Sequence, residues 1–377
     1  MSAPGVLLEA RDLRVRFHTD GGGVVHAVDG VSFTVRPGEV LALVGESGCG
    51  KTVLTRRVMG LIAGDRGTEV SGTVDYDGTR LTELSGRELS RFWGAEIALV
   101  LQDPMTSLNP VKRIGAQLTE SILLHQESTR RQATERAVEL LRSVGLSEPE
   151  RRLRQYPHEL SGGMRQRVTI AIALSGNPRL LLADEPTTAL DVTVQAQILD
   201  LLAGLRARLG MAMVLVTHDL RVVRSRSDRI AVMYAGKIVE LAPTAALFSA
   251  PRMPYTEALM NAVPPLAGPN HTRLRVIPGR PPDLRRPPAG CAFSPRCPYA
   301  QPRCLTETPP LRAVTSHHLP SHHESPHHLP SHHGSTEHRF RCWYPLGSPG
   351  WREAREANVR CGRTAAGTPV TAEMVRA

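Results

Sequence analysis

The chain has 377 residues, 41% hydrophobic and 22% charged, a composition that excludes wholesale disorder and leaves room for one large domain with an extension or for two to three smaller ones. It holds no apolar run of about 18 residues, which excludes a membrane-spanning helix. Its first sixteen residues mix acids and bases without a secretory-type apolar stretch, so a cytoplasmic protein with reduced cysteines is expected. The net charge of +10 is uneven: residues 1–267 carry 31 Lys and Arg against 29 Asp and Glu, and residues 268–377 carry 15 against 7. Such a basic segment could meet nucleic acid, anionic lipid or an acidic protein.

In chain order, short apolar runs alternate with amphipathic helical patterns over roughly the first 265 residues, which reads as α/β. Val40–Val44 predicts a buried strand, with a helix over Val53–Leu61. Val70–Asp77 alternates and runs into Asp77-Gly78, a hairpin signal, so an antiparallel sheet is expected nearby. Residues 114–156 read as helical. Thr129 is placed to cap a helix whose apolar face runs through Ala137, Leu140, Leu141 and Val144, with Arg142 outward and Gly145 as its stop. Leu180–Ala183 and Met213–Val216 predict two more buried parallel strands. Beyond these, residues 263–288 hold eight prolines and five arginines and predict an irregular segment. Residues 316–338 hold nine of the fifteen histidines, with His-His pairs starting at His317, His322, His327 and His332, and read as a low-complexity insert. Residues 346–377 show no apolar periodicity and predict a loosely ordered tail.

The chemistry concentrates at Gly45-Glu46-Ser47-Gly48-Cys49-Gly50-Lys51-Thr52, which fits G-x-x-x-x-G-K-[ST] between a strand and a helix. The glycines let backbone N–H groups wrap a phosphate, and the following helix turns its positive end toward it. Lys51 supplies a compact cation, and the Thr52 hydroxyl is a Mg²⁺ ligand. Only three lysines occur in the whole chain, Lys51, Lys112 and Lys237, which adds weight to finding one here. A second apolar strand ends in Asp184-Glu185: Asp184 can hold the Mg²⁺ shell, and Glu185 can polarise an attacking water.

With these in place, the order of the remaining motifs resembles an ATP-binding-cassette (ABC) transporter subunit. They are Gln102, Leu160-Ser161-Gly162-Gly163-Met164, Asp184-Glu185, Ala189-Leu190-Asp191 and His218. Two longer stretches, 102–110 and 156–167, together with Pro251–Thr256, resemble the oligopeptide, dipeptide and nickel importer branch, and the likeness covers residues 5–345. It implies a P-loop NTPase (RecA-like) core with an antiparallel β subdomain and a helical subdomain at about 103–165. The nucleotide-binding domain would span 5–262, followed by an irregular Cys-containing module at 263–345. It implies ATP and Mg²⁺ as ligands, with Mg²⁺ held through Thr52, Gln102 and Asp184. Glu185 would orient water, His218 would contact the γ-phosphate, and Ser161, Gly162 and Gly163 would close over the ATP of a partner subunit. Asp191 would support the dimer contact. Phe17, 28 residues before Gly45, stands where the family places an aromatic that stacks on adenine; the plain alternative is a strand core residue. Met164 departs from the usual Gln, and Cys49 and Thr52 stand where Ser is frequent, but no needed group is lost.

The implied assembly is a membrane-peripheral ATPase on the cytoplasmic face, paired with a second, different cassette subunit, two permeases and an extracytoplasmic binding protein. The expected cargo is a peptide, with nickel or another small solute as the alternative. A cassette acting on nucleic acid or ribosomes is not expected, because the chain has a single cassette and no heptad run. Cys291, Cys297, Cys304 and Cys342 sit in a Pro/Arg-rich module with little apolar material, which suggests a metal staple. The resemblance implies a [4Fe–4S] cluster; zinc and free thiols are the alternatives, the spacing being unlike common zinc sites. The His pairs could bind nickel, but a repeat expansion in a solvated loop is the expected reading.

Overall fold

The protein is described by a computed structural model covering residues 5–103, 107–188, 190–262, 277–314 and 337–370. Pro104-Met105-Thr106, Ala189, residues 263–276 of the Pro/Arg segment, residues 315–336 of the His-rich insert and residues 371–377 lie outside the described residues.

Twelve strands form two sheets among the described residues. The first sheet is antiparallel and joins β1 (Leu8–His18), β2 (Val24–Val35), β4 (Thr68–Tyr76) and β5 (Thr79–Arg80) in the order β2-β1-β4-β5. Asp77-Gly78 makes the two-residue turn between β4 and β5, as expected. The second sheet runs β11-β12-β10-β9-β3-β8-β7-β6. Its parallel centre is β6 (Ile97–Val100), β7 (Leu180–Asp184), β8 (Ala212–Thr217), β3 (Val40–Val44) and β9 (Arg229–Tyr234). The antiparallel edge is β10 (Lys237–Pro243), β12 (Arg339–Phe340) and β11 (Arg312–Ala313).

The central strands are near-continuous apolar runs because both faces are covered. Their two-residue period divides them between two cores. Val40, Ala42 and Val44 of β3, with Leu181 and Ala183 of β7 and Met213 and Leu215 of β8, face a cluster shared with the helices. Leu41 and Leu43, with Leu180, Leu182, Val214 and Val216, face a cluster shared with the antiparallel sheet. The helices used below are α1 (Lys51–Val58), α2 (Ile114–His125), α3 (Arg130–Ser143), α4 (Gly162–Ala173), α5 (Val192–Leu209), α6 (Pro254–Asn261) and α7 (Pro349–Cys361). Helix α3 begins as expected: the Thr129 side chain accepts from the Gln132 N–H and Gln132 reaches back, a capping box. Ala137, Leu140 and Leu141 are buried on its inner face.

The C-terminal module continues the cassette sheet. Strand β12 pairs with β10 and with β11, so residues 314–338 are closed at their base, where the Val314 N–H donates to the His338 carbonyl at 2.7 Å. The described part of the Pro/Arg segment, residues 277–288, holds no helix or strand, as expected.

Two expectations are corrected. His338, assigned to the solvated insert, lies 2.6 Å from Glu240, whose side chain is fully buried and also accepts the N–H groups of Arg252 and Met253. Residues 346–377, expected to be a loose tail, instead contain α7. Ser348 caps it, Pro349 opens it and Gly362 closes it with φ +67°. Trp351, Ala354 and Asn358 form its inward stripe: the Trp351 ring meets Tyr299 at 5.6 Å, and Asn358 is 5% exposed. The Asn358 amide donates to the carbonyls of Pro298 and Ala300 and accepts from Gln301. The stripe has helical spacing, but its third member is polar, so no apolar period was visible.

Asn358→Leu takes a donor from the Pro298 and Ala300 carbonyls and an acceptor from the Gln301 amide, of which Ala300 keeps the Ala365 N–H and Gln301 keeps the Ala354 carbonyl. It should lower stability by about 2 kcal/mol or more. Chemical denaturation of the full chain measures this; an unchanged midpoint would remove the structural role given to α7.

Candidate functional site

The loop Gly45–Thr52 joins the C-terminal end of the central strand β3 to α1, and its path leaves no room for side chains at two points. A Cβ on Gly45 would stand 2.2 Å from the Met233 carbonyl oxygen. One on Gly50, where φ is +104°, would stand 2.1 Å from the Ala27 carbonyl oxygen. The loop is thereby pressed between β2 and β9. Lys51 is 5% exposed and turns back over the loop, donating to the carbonyls of Gly45 at 2.8 Å and Glu46 at 3.1 Å.

Two carboxylates meet this loop from the end of β7. Asp184 is almost fully buried and accepts the Thr52 hydroxyl at 3.2 Å. Burial pushes its carboxyl up, and the Thr52 hydroxyl holds it down. Glu185 follows in the left-handed region at φ +45°, a conformation that costs energy for a non-glycine residue. Its N–H is held by the Val216 carbonyl of β8, and the turn carries its side chain back toward the loop. There it lies 3.5 Å from Lys51 and 3.5 Å from His218, and it accepts from Gln102 at 3.3 Å and from Thr188 at 3.0 Å. The His218 imidazole, with Lys51 and the Thr188 hydroxyl, holds Glu185 down to about 2 against its burial. Glu185 in turn raises His218 above the ordinary imidazole range.

Lys51, Thr52, Gln102, Asp184, Glu185 and His218 are thus brought together. Thr188 was missed by sequence reading, although its place three residues after Glu185 was a signal for such a contact. Two further missed residues sit on Glu46: the Tyr255 hydroxyl accepts the Glu46 N–H, and Arg296 grips the Glu46 carboxylate. Neither has a local sequence signal.

Other expected site residues stand elsewhere. Ser161 caps α4 and accepts from the Met164 N–H, and Asp191 caps α5 and accepts from the Val194 N–H. These two helix starts adjoin, since a Cβ on Gly162 would meet Leu190 at 3.3 Å and one on Gly163 would meet Val194 at 2.7 Å. No hydrogen bond or ion pair among the described residues joins this surface to Lys51 or Glu185. Phe17 lies half-buried in β1, opposite Val25 and Thr68, against the antiparallel-sheet core.

The oxygen donors of Thr52, Asp184 and Gln102 are of the type that suits Mg²⁺. Cys291, Cys297, Cys304 and Cys342 line one small cavity with Phe293 and Tyr299. Burial raises all four thiols, Cys291 to about 11, so they are protonated at neutral pH. The cavity is about 20 Å³, room for about one water, and no group of three His, Cys, Asp or Glu among the described residues stands ready to hold a metal. The thiol chemistry fits a cluster, but the space does not.

The coupling of Glu185 to His218 has a pH signature. His218 is raised, so its contribution to stability is full below the unfolded value near 6.5 and is lost as pH rises through the folded value. Glu185 is lowered, so its contribution is full above about 4.5 and is lost as pH falls toward 2. The pair therefore stabilises most between about pH 4.5 and 6.5. Glu185→Gln should bring the His218 titration midpoint down toward about 6.5, read by proton NMR of the imidazole. An unmoved midpoint would mean that the two side chains do not interact.

Comparison with known proteins agrees with this geometry. Residues 28–188 match the ABC transporter family, and residues 239–304 match the oligopeptide/dipeptide transporter C-terminal region. The chain is 48% identical over 313 residues to a probable peptide ABC transporter ATP-binding protein of Sinorhizobium fredii, covering 83% of this chain and 93% of that one. It is 48% identical over 312 residues to an oligopeptide transport ATP-binding protein of Bacillus subtilis, covering 83% of this chain and 87% of that one. A dimeric, ADP- and phosphate-bound structure of the ATP-binding cassette MJ0796 superposes with a TM-score of 0.57 at 28% identity, over 63% of this chain and 98% of that one. The strand–loop–helix phosphate site, the Asp184-Glu185 strand end and the two family matches place this chain among the ATPase subunits of ABC transporters, in the branch that carries the oligopeptide/dipeptide transporter C-terminal region.

Proposed function

We propose that this chain binds and hydrolyses ATP to drive the import of peptides by a bacterial ABC transporter. The observation that carries the ATPase half is the convergence of Lys51, Gln102, Thr188 and His218 on the single carboxylate of Glu185, beside Thr52 and Asp184. The peptide half is supported by the C-terminal region match and by the peptide and oligopeptide transport named for the relatives.

In this reading, phosphate oxygens compete with Glu185 for Lys51. Losing that cation raises the proton affinity of Glu185 and leaves it held by Gln102, Thr188 and His218, free to orient water at the γ-phosphate. Thr52 and Asp184, with Gln102, would hold Mg²⁺, which would supply positive charge to the phosphates. Phe17 stacks on the adenine.

Ser161, Gly162 and Gly163 supply N–H groups and a helix N-terminus to the nucleotide of a second cassette subunit, with Asp191 at the contact. That a signature surface sits apart from the chain's own phosphate loop supports a two-chain sandwich, and we assign it to a heterodimer. Residues 5–262 are the nucleotide-binding domain, with 103–165 as its helical part, and residues 263–345 are the C-terminal module. No helix among the described residues is long and apolar enough to cross a membrane. We assign the chain to the cytoplasmic face, on two permeases served by an extracytoplasmic binding protein, as suits the transport ATP-binding proteins it resembles. For the four cysteines we propose a structural [4Fe–4S] cluster, supported by their convergence on one cavity, which has room for about one water and would have to open to admit it; no step is routed through it.

Three measurements test this reading. Glu185→Gln should still bind ATP while turnover falls about 10²- to 10⁴-fold; full turnover would overturn its role. A tagged pull-down from solubilised membranes should recover two permeases and a peptide-binding protein, and recovery of ribosomal or DNA-bound proteins instead would overturn the transport reading. An anaerobic preparation that is colourless and iron-free would exclude the cluster.

A further inference from the structure

Arg296 lies between Cys291 and Cys297 in the C-terminal module, 250 residues from the phosphate loop it touches. Its side chain is 4% exposed and every nitrogen of its guanidinium is used. Nη1 and Nη2 donate to the two carboxylate oxygens of Glu46 at 2.7 and 3.0 Å, a forked contact. Nη1 also reaches the Tyr234 hydroxyl, while Nε and Nη2 donate to the carbonyls of Pro278 and Ile277. Glu46 is held a second time at its main chain, where its N–H donates to Tyr255 at 3.0 Å. Its carbonyl is one of the two oxygens on which Lys51 rests. One residue of the loop therefore carries the lysine's acceptor on its backbone and the module's anchor on its side chain.

The anchor is rigidly backed. Tyr234, Tyr255 and Phe293 pack ring to ring, with centroids 4.4 to 5.4 Å apart. Phe293 lines the four-cysteine cavity on the far side, and the Ser294–Arg296 turn runs directly into Cys297, whose N–H donates to the Ser294 carbonyl. An isolated cassette would have no partner for the Glu46 carboxylate at this position. Here a forked, largely desolvated ion pair fixes the loop from outside the cassette.

We propose that Arg296 is a positioning residue for nucleotide binding: acting through Glu46, it sets the phosphate loop, so the C-terminal module forms part of the ATP site. This rests on the ATPase reading above. The forked pair is geometric, so a lysine, a point charge, restores it only in part. Misplacing a binding loop by about 1 Å is enough for an effect of tenfold or more.

The test is an equilibrium titration of the full chain with a fluorescent ATP analogue and Mg²⁺, for Arg296→Gln, Arg296→Lys, Glu46→Gln and the Arg296→Gln/Glu46→Gln double variant. Arg296→Gln and Glu46→Gln should each weaken binding about tenfold, and Arg296→Lys by less. The double variant should be no weaker than the weaker single, because both remove one contact. In the assembled transporter, the ATP concentration for half-maximal turnover should rise while the saturated rate changes less than about threefold. Wild-type affinity in folded Arg296→Gln, or losses that add in the double variant, would overturn the proposal. If Arg296→Gln fails to fold, Glu46→Gln decides from the cassette side, and unchanged affinity there overturns it. Binding by the unaltered chain is the control: its absence would count against the ATPase reading rather than against this contact.

Discussion

The site is built around the crowding of main chain against main chain. Between β2 and β9 the phosphate loop passes so close to the carbonyls of Ala27 and Met233 that positions 45 and 50 admit no side chain. This close approach brings Lys51 over its own loop and aligns α1 behind it. It also sets where the end of β7 must deliver its carboxylates. Had the loop ridden higher, Asp184 would not reach Thr52 and Glu185 would not reach Lys51. The left-handed turn at Glu185 is the complementary strain, supported by its N–H bond to β8 and by the four side chains that meet its carboxylate.

The parts of this arrangement legible in the sequence were those with local rules. Val40–Val44, Leu180–Ala183 and Met213–Val216 are apolar runs that only a sheet covered on both faces accommodates, and their central placement follows. The phosphate loop was legible because its spacing encodes a backbone requirement. The contact of Gln102 and His218 with Glu185 could be expected only through the order of motifs, since nothing local brings positions 102, 185 and 218 together.

What stayed hidden has a common physical cause. Arg296 and Tyr255 find Glu46 through the tertiary fold, and His338 finds Glu240 the same way; no pattern near either end foretells them. Helix α7 was obscured because an Asn occupies a core position, satisfied by carbonyls from the segment 298–300. In each case a polar side chain does inside the protein what sequence reading assigns to solvent. Ser161–Gly163 and Asp191 pose a different problem: within one chain Ser161 and Asp191 cap helices, and the role proposed for this surface, toward a second chain, would have no intrachain geometry to display.

The hairpin at the base of the His-rich insert has a consequence for the length of that insert. Strands β11 and β12 and the bond from Val314 to His338 close the insert at both ends, and His338 pins that closure to buried Glu240. Among the described residues, the ends of the insert are thereby held to β10, whatever length of chain they close. Closing a loop twice as long costs only about 0.6 kcal/mol more. The His-His pairs recur every five residues, so adding or removing one unit would change the length to be closed and leave the pairing of β11, β12 and β10 to set where both ends stand. The hairpin is thus a clamp whose position is set by β10 and Glu240 rather than by the number of repeats it closes.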